Sequence, residues 1–267
     1  MNHAWHSDPP DLVLMTFDAL RFDVAHSAWQ TGRTPFLQER IPNGWEARHT
    51  PGNFTYAAHA AIFAGFWPTP EAPGPSTRPL ALRFPGSRSI GPDTVPLEGD
   101  NIVGGLSARG FHTICIGGVG FFNPATPLGS VFPDLFAESH WRPEFSISEP
   151  NSTRAQVRQA CRCLENCEPD RPLFLFINIS ATHPPTRVYL PGSREESVAS
   201  QTAALQYVDR QLPPLFTALQ QRRRPGTAYL MSDHGTLFGE EGWTGHRIGH
   251  PVVWTVPYAE FQWEPAE

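Results

Sequence analysis

The sequence of 267 residues contains no lysine, because all 20 of its basic residues are arginine. Schiff-base catalysis, a phosphate-binding P-loop and a kinase-type active site each depend on the primary amine of a lysine. Those three chemistries are therefore excluded. The formal net charge of −6 offers no diffuse positive field to attract a phosphate backbone or an anionic membrane surface. We expect neither a nucleic acid nor a membrane as a partner.

Long hydrophobic runs are also missing. No apolar stretch approaches the roughly 20 residues that span a bilayer. The first ten residues lack the basic patch and apolar stretch of a signal peptide. These two absences predict a cytoplasmic protein.

Cysteine is scarce, with residues only at Cys115, Cys161, Cys163 and Cys167. The last three fall within a predicted helix, and residues two positions apart on a helix do not share a face. We therefore expect reduced thiols rather than a preformed metal or disulfide cluster.

Apolar runs typical of buried strands alternate with helical patterns along the chain. The strands are predicted at 11–17, 112–117, 173–179 and 227–232, and the helices at 55–66, 151–168 and 193–223. This alternation predicts an α/β fold, a three-layer α/β/α sandwich with a mostly parallel central sheet. We expect residues 1–267 to form a single catalytic domain. The segment 68–101, with eight prolines, is predicted to be a long loop that serves either as a lid or as a passive surface excursion.

Polar residues with catalytic potential stand where these elements begin or end. Asp18 follows the first predicted strand, Thr55 begins a helix, His183 follows the third strand, and Asp233-His234 follows the fourth. Each feature alone has a structural interpretation, such as helix capping by Asp18 or Thr55. However, parallel strands end at one edge of a sheet, where ligands bind. Two carboxylates that meet at this edge repel each other unless a cation lies between them.

Taken together, these segments resemble the alkaline phosphatase superfamily, in particular its sulfatase-like and phosphodiesterase–phosphotransferase branches. The resemblance extends from residue 11 to about 258. It is carried by Asp18-Ala-Leu-Arg-Phe-Asp23, Thr34-Pro-Phe-Leu37, Thr55 ten residues before Gly65, the late helix 204–212, Ser232-Asp-His-Gly235, and His246 thirteen residues after Asp233.

The resemblance implies a metal-dependent hydrolase or transferase that acts on small-molecule phosphate mono- or diesters. Thr55 is the implied nucleophile, which forms a phosphothreonine intermediate. The cofactor is expected to be one divalent ion, Mn²⁺, Zn²⁺ or Mg²⁺, held by Asp18, Thr55, Asp233 and His234. His183 and His246 are expected to contact the substrate or protonate the leaving oxygen, while His59 takes the place of the sulfatase arginine.

The sequence departs from the superfamily at three points. Sulfatases need a cysteine or serine that is oxidised to formylglycine, and the threonine at position 55 cannot form that aldehyde. The stretch Asn178 to His183 lacks the aspartate that helps to bind a second zinc ion in other branches, so a second ion is disfavoured. The chain is also shorter than most relatives, which implies a reduced C-terminal subdomain. Two alternatives remain open, a sulfate-ester hydrolase on the same scaffold and a non-catalytic, metal-binding accessory protein.

Overall fold

A seven-stranded sheet forms the centre of the computed structural model, which describes residues 9–65, 80–81, 95–96 and 101–266. The strands are Asp11–Phe17 (β1), Glu46–His49 (β2), Leu80–Ala81 (β3), Val95–Pro96 (β4), His112–Ile116 (β5), Glu138–His140 (β6), Leu173–Ile179 (β7), Gly226–Met231 (β8), Leu237–Phe238 (β9), Thr244–Gly245 (β10) and Thr255–Trp263 (β11). The helices are Phe22–Gln30 (α1), Pro35–Arg40 (α2), Thr55–Ala64 (α3), Ile102–Ser107 (α4), Pro127–Ser130 (α5), Ser152–Asn166 (α6), Val198–Gln211 (α7), Pro213–Gln221 (α8) and Pro251–Trp254 (α9).

The strand order in this sheet is β2-β11-β8-β1-β7-β5-β6. The run from β8 to β6 is parallel, and β11 is antiparallel to both β8 and β2. β1 lies between β7 and β8, with Thr16 opposite Asn178 on one side and Met231 on the other. The carboxyl ends of β1, β7 and β8 therefore lie side by side at one edge of the sheet. The mostly parallel α/β fold expected from the sequence is confirmed.

Hydrophobic cores cover both faces of the sheet. Alternate residues of β1 show the division, since Val13 and Met15 pack into one cluster and Leu14 into the other. The first cluster includes α1, α6, α7 and α8, and the second includes α3 and α4. Because each face is covered, the central strands are apolar throughout, and all seven residues of β7 are buried.

The predicted helix 193–223 is two helices in the structure. α7 ends at Gln211 and α8 begins at Pro213, with Leu212 between them. A proline has no N–H to donate and is accommodated in the first turn of a helix, so the Pro213-Pro214 pair begins a new helix. The prediction of a single helix was therefore wrong.

The predicted loop 68–101 lies outside the described residues except for β3 and β4, which pair in parallel, and Asn101, which caps α4. Among the described helices, none has both the length and the apolar character needed to cross a bilayer.

The difference between core and surface isoleucines predicts stability effects. Ile114 on β5 is fully buried, whereas Ile102 on α4 is 47% exposed. Ile114→Ala should lower the free energy of unfolding by about 2–5 kcal/mol, because it leaves a cavity in the packed core. The matched Ile102→Ala change should cost less than about 1 kcal/mol. Urea unfolding monitored by circular dichroism measures both, and equal losses would contradict the described packing.

Candidate active site

Asp18 lies immediately after β1 and is completely buried. One carboxylate oxygen, Oδ2, accepts hydrogen bonds from Asn178 Nδ2 at 3.1 Å and from Thr55 Oγ1 at 3.5 Å. The other oxygen, Oδ1, has no hydrogen-bond donor. A buried carboxylate oxygen without a donor is costly unless a cation binds there.

Asp233 follows β8 and is also completely buried. Its Oδ1 accepts hydrogen bonds from the backbone N–H groups of Ala19 at 3.1 Å and His234 at 3.0 Å. Ala19 has a φ of 58°, a left-handed conformation uncommon for a residue other than glycine. Asp233 Oδ2 has no donor, so each of the two carboxylates presents one unpaired oxygen.

His234 brings a nitrogen ligand to the same point. Its Nδ1 lies 2.9 Å from the carbonyl oxygen of Gly235, which can only accept, so Nδ1 carries the proton and Nε2 keeps its lone pair. That Nε2 lies 3.5 Å from Asp233 Oδ2, 3.9 Å from Asp18 Oδ1 and 3.3 Å from Thr55 Oγ1. The structure thus brings together all four residues that the sequence predicts as metal ligands.

The electrostatics of this group, which we call the Asp18–Asp233 site, fit a bound cation. Burial, followed by the charge of Asp233, raises the pKa of Asp18 to about 6, and burial raises the pKa of Asp233 to about 7. Burial lowers the pKa of His234, which keeps its imidazole neutral. Ligand atoms of the two carboxylates and this imidazole all lie within 4.8 Å of one another. Two carboxylates and one imidazole suit a hard or borderline divalent ion.

His183 and His246 lie beside the site. His183 Nε2 is 4.0 Å from Asp18 Oδ1, and its Nδ1 is 2.5 Å from the carbonyl oxygen of Pro184. The His246 ring centroid is 4.5 Å from that of His234 and 5.3 Å from that of His183. Burial and then the neighbouring histidines lower the pKa of His246 to about 3. His246 is therefore a neutral group at the edge of the site.

His59 is placed differently from the other predicted residues. Its Nδ1 donates to the backbone oxygen of Thr55 at 2.8 Å, and its Nε2 lies 3.0 Å from Thr16 Oγ1. The ring is fully buried against Phe63, Phe122, Phe132 and Phe176, and burial lowers its pKa to about 3. Both ring nitrogens therefore have partners inside the protein, and Nδ1 also lies 3.7 Å from Asp233 Oδ2, so His59 adjoins the Asp18–Asp233 site.

Three further buried residues make contacts around the site that the sequence did not predict. Asn178 on β7 donates to Asp18 and to Thr16, and its Oδ1 accepts from Val119 N. Gln201 on α7 donates to the backbone oxygens of Ala19 and Thr182. Buried Arg21 pairs with Asp23 through two hydrogen bonds and also contacts Glu240.

Comparison with known families accounts for this arrangement. The profile of the sulfatase family matches residues 10–258. The chain belongs to the sulfatase family. Since the family profile covers the Asp18–Asp233 site from Asp18 to His234, the resemblance predicted from the motifs is confirmed. No protein of curated function gives a significant match to the sequence.

Solved structures share the fold of this sulfatase-family chain at low identity. The C-terminal periplasmic domain of EptC from Escherichia coli, in complex with Zn, is 14% identical with a TM-score of 0.67 over 97% of this chain and 74% of that chain. The corresponding domain of the phosphoethanolamine transferase EptC from Campylobacter jejuni is 14% identical, with a TM-score of 0.64 over 98% of this chain and 81% of that one. Lipoteichoic acid synthase LtaP from Listeria monocytogenes is 10% identical, with a TM-score of 0.62 over 100% of this chain and 68% of the synthase.

These comparisons correct the expectation of a cytoplasmic protein. Both EptC structures are described as periplasmic domains, and a further similar structure, EptA from Neisseria meningitidis, is described as an integral membrane protein. The cytoplasm was predicted from the lack of a long apolar run and of a signal-peptide pattern. That prediction was wrong because a domain with this fold can lie in either compartment, whatever segment delivers it there.

The raised carboxylate pKa values predict how the metal-free sulfatase-family chain responds to pH. A group whose pKa rises from 3.8 to about 6 or 7 on folding favours the folded state at low pH, and this contribution is lost as pH rises through the folded-state value. After treatment with a chelator, the free energy of unfolding should therefore fall between about pH 4 and 7.

The matched variant is Asp233→Asn, which removes one of the two titrating groups and the repulsion between them. Urea unfolding of both proteins in chelator should show the variant to be less sensitive to pH and the more stable of the two at pH 8. Saturating divalent metal should reverse that order. Parallel pH dependences of the two metal-free proteins would contradict the described electrostatics.

Proposed function

We propose that the chain is a metal-dependent phosphotransferase or phosphoric ester hydrolase in which Thr55 is the nucleophile. The observation that carries the proposal is the position of Thr55 Oγ1, 3.5 Å from Asp18 Oδ2 and 3.3 Å from His234 Nε2. Folding alone does not require the Thr55 hydroxyl to lie beside two presumed metal ligands. This position suits an oxygen that must lose its proton and attack.

A divalent ion held by Asp18, Asp233 and His234 would lower the pKa of the Thr55 hydroxyl and stabilise the negative charge on the phosphoryl oxygens. Asp18 Oδ2 is the carboxylate oxygen to which this hydroxyl donates. Thr55 is also the first residue of the ten-residue helix α3, whose N-terminal N–H groups favour an anionic group. In the proposed step, Thr55 Oγ1 forms a bond to phosphorus and the bond to the leaving oxygen breaks.

His183 is proposed to protonate the leaving oxygen. Its Nδ1 donates to a backbone carbonyl, which leaves Nε2, on the side of Asp18, to bind and release a proton. His246 is proposed as a substrate contact, because a neutral imidazole can still donate one hydrogen bond. Water or another hydroxyl then attacks the phosphothreonine and releases Thr55.

His59 is proposed to position Thr55 rather than to contact the substrate. A chain of hydrogen bonds runs from Asn178 through Thr16 to His59 and ends at the Thr55 carbonyl oxygen. The same Asn178 side chain donates to Asp18. This chain would fix the nucleophile and a metal ligand relative to each other.

A phosphodiester is the proposed substrate class, and its headgroup would be transferred outside the cytoplasm. Two of the similar structures are described as a phosphoethanolamine transferase and a lipoteichoic acid synthase. Threonine at position 55 supports this choice over sulfate-ester hydrolysis, because a threonine side chain cannot be converted to formylglycine. Zinc is the first ion to test, since the EptC domain was crystallised with it.

Removal of the nucleophile tests the proposal directly. Thr55→Ala should lower turnover of bis(p-nitrophenyl) phosphate by a factor on the order of 10³ or more, because no oxygen remains to attack phosphorus. Thr55→Ser keeps the hydroxyl and should retain measurable activity. Acid-quenched wild-type protein should carry a phosphoryl-containing adduct on the peptide with residue 55, detected by mass spectrometry.

The matched control for this experiment is Thr31→Ala, an exposed threonine at the end of α1, which should leave turnover unchanged. Assays with p-nitrophenyl phosphate and p-nitrophenyl sulfate compare the ester classes. Full activity of Thr55→Ala, or a marked preference for the sulfate ester, would refute the proposed chemistry.

The role of His183 predicts a dependence on the leaving group. His183→Gln should reduce turnover of an alkyl phosphodiester by about 10²-fold or more, because an alkoxide must be protonated as it leaves. Turnover of the p-nitrophenyl ester should fall much less, since p-nitrophenolate leaves without a proton. The control His26→Gln lies on α1, outside the Asp18–Asp233 site, and should change neither rate. An equal loss on both substrates would assign His183 to binding instead.

A further inference from the structure

A second group of possible metal ligands lies away from the Asp18–Asp233 site. Glu138 and His140 are on the edge strand β6, and Cys163 is on α6, which packs beside it. His140 Nε2 is 2.6 Å from Glu138 Oε1 and 3.3 Å from Cys163 Sγ. One ligand atom from each of these three residues lies within 4.8 Å of the other two.

The spacing of these atoms suits a zinc-type ion. With a Zn–S bond of about 2.3 Å and Zn–N or Zn–O bonds of about 2.0–2.1 Å, tetrahedral ligands are about 3.3–3.6 Å apart. The sulfur-to-nitrogen distance of 3.3 Å is already close to this value, while the 2.6 Å contact between His140 and Glu138 must lengthen. Sulfur, imidazole and carboxylate together favour zinc over magnesium or calcium.

Neighbouring side chains would orient the three ligands. His112 Nε2 lies 3.0 Å from Glu138 Oε2, the oxygen that does not contact His140. Gln159, one helical turn before Cys163, donates from Nε2 to Cys163 Sγ at 3.5 Å. Hydrogen bonds of this kind to metal ligands fix their direction and tune affinity.

The helix geometry also brings Cys167 to this face. The sequence argument compared cysteines two residues apart, but Cys163 and Cys167 are four apart and therefore lie on the same side. Burial, and to a smaller extent the charge of Glu138, raises the pKa of Cys167. Cys161 faces elsewhere, with its thiol 3.7 Å from the carbonyl oxygen of Pro214 on α8.

We propose that Glu138, His140 and Cys163 bind a structural zinc ion that joins the edge strand β6 to α6. Binding would form zinc bonds to one oxygen, one nitrogen and one sulfur atom, and the thiol proton of Cys163 would pass to solvent. Two of the three ligands would come from β6, which among the described strands pairs with β5 alone. A bound ion would therefore secure the exposed edge of the fold independently of catalysis.

Cobalt substitution tests this proposal without reference to activity. Protein freed of metal with a chelator, kept reduced, and titrated with Co²⁺ should show thiolate-to-cobalt charge transfer in the near ultraviolet. The Asp18–Asp233 site contains no sulfur ligand, so this absorption reports on cobalt bound by a cysteine and not on that site. Wild-type protein should bind two Zn²⁺ per chain, as measured by elemental analysis after gel filtration.

Variants of the thiols and of each site separate the outcomes. Cys163→Ser and His140→Ala should lose the absorption and bind one Zn²⁺ fewer, whereas Cys161→Ser on the same helix should behave as wild type. Asp233→Asn should retain the absorption, so failure of the proposed catalytic site would not affect this result. Circular dichroism verifies that each variant is folded. Absence of charge transfer in the wild type, or its persistence in folded Cys163→Ser, would show that these residues form a hydrogen-bond network only.

Discussion

The structure depends on the burial of two carboxylates at one point of the sheet edge. Asp18 and Asp233 follow neighbouring parallel strands, both are fully excluded from solvent, and each keeps one oxygen without a donor. Ionisation of either carboxylate costs free energy because the group is buried, and their mutual repulsion adds to that cost. A divalent cation would convert this unfavourable pair into a ligand set. The neutral imidazole of His234 and the hydroxyl of Thr55 lie beside the two carboxylates, where the same cation would contact them.

The fold holds this pair in place through backbone contacts rather than through the carboxylates alone. Ala19 N donates to Asp233, and its left-handed backbone conformation turns the chain immediately after Asp18. Gln201 then ties the backbone at Ala19 to that at Thr182, so α7 holds the ends of β1 and β7 together. Strain at such a position persists only when the surroundings determine it from several directions. The contacts at this edge of the sheet therefore offset the strain at Ala19 and hold the site residues in position.

The sequence predicted those features that depend on local pattern. The strands 11–17 and 173–179 were predicted at their observed bounds, because strands buried on both faces are continuous apolar runs. Asp18 and Asp233 were recognisable because they end such runs. The hydrogen bonds that support the site from other segments were not predictable, since nothing local indicates that Asn178 donates to Asp18. The same limit applies to His59, whose hydrogen bond to the backbone of Thr55 does not follow from its spacing in the motif.

The identity of residue 55 restricts the chemistry more than the scaffold does. A threonine is stiff about its first side-chain torsion, so the hydrogen bond from His59 to its backbone also restricts where Oγ1 can lie. In the proposed reaction, an oxygen held in this way would need little reorganisation before it attacks phosphorus. In that reaction, Thr55 would return to its starting state only when an acceptor attacks the phosphothreonine. The acceptor, water or a hydroxyl compound, would therefore decide between hydrolysis and transfer, and the residues around His183 and His246 beside the site are the first candidates for selecting it.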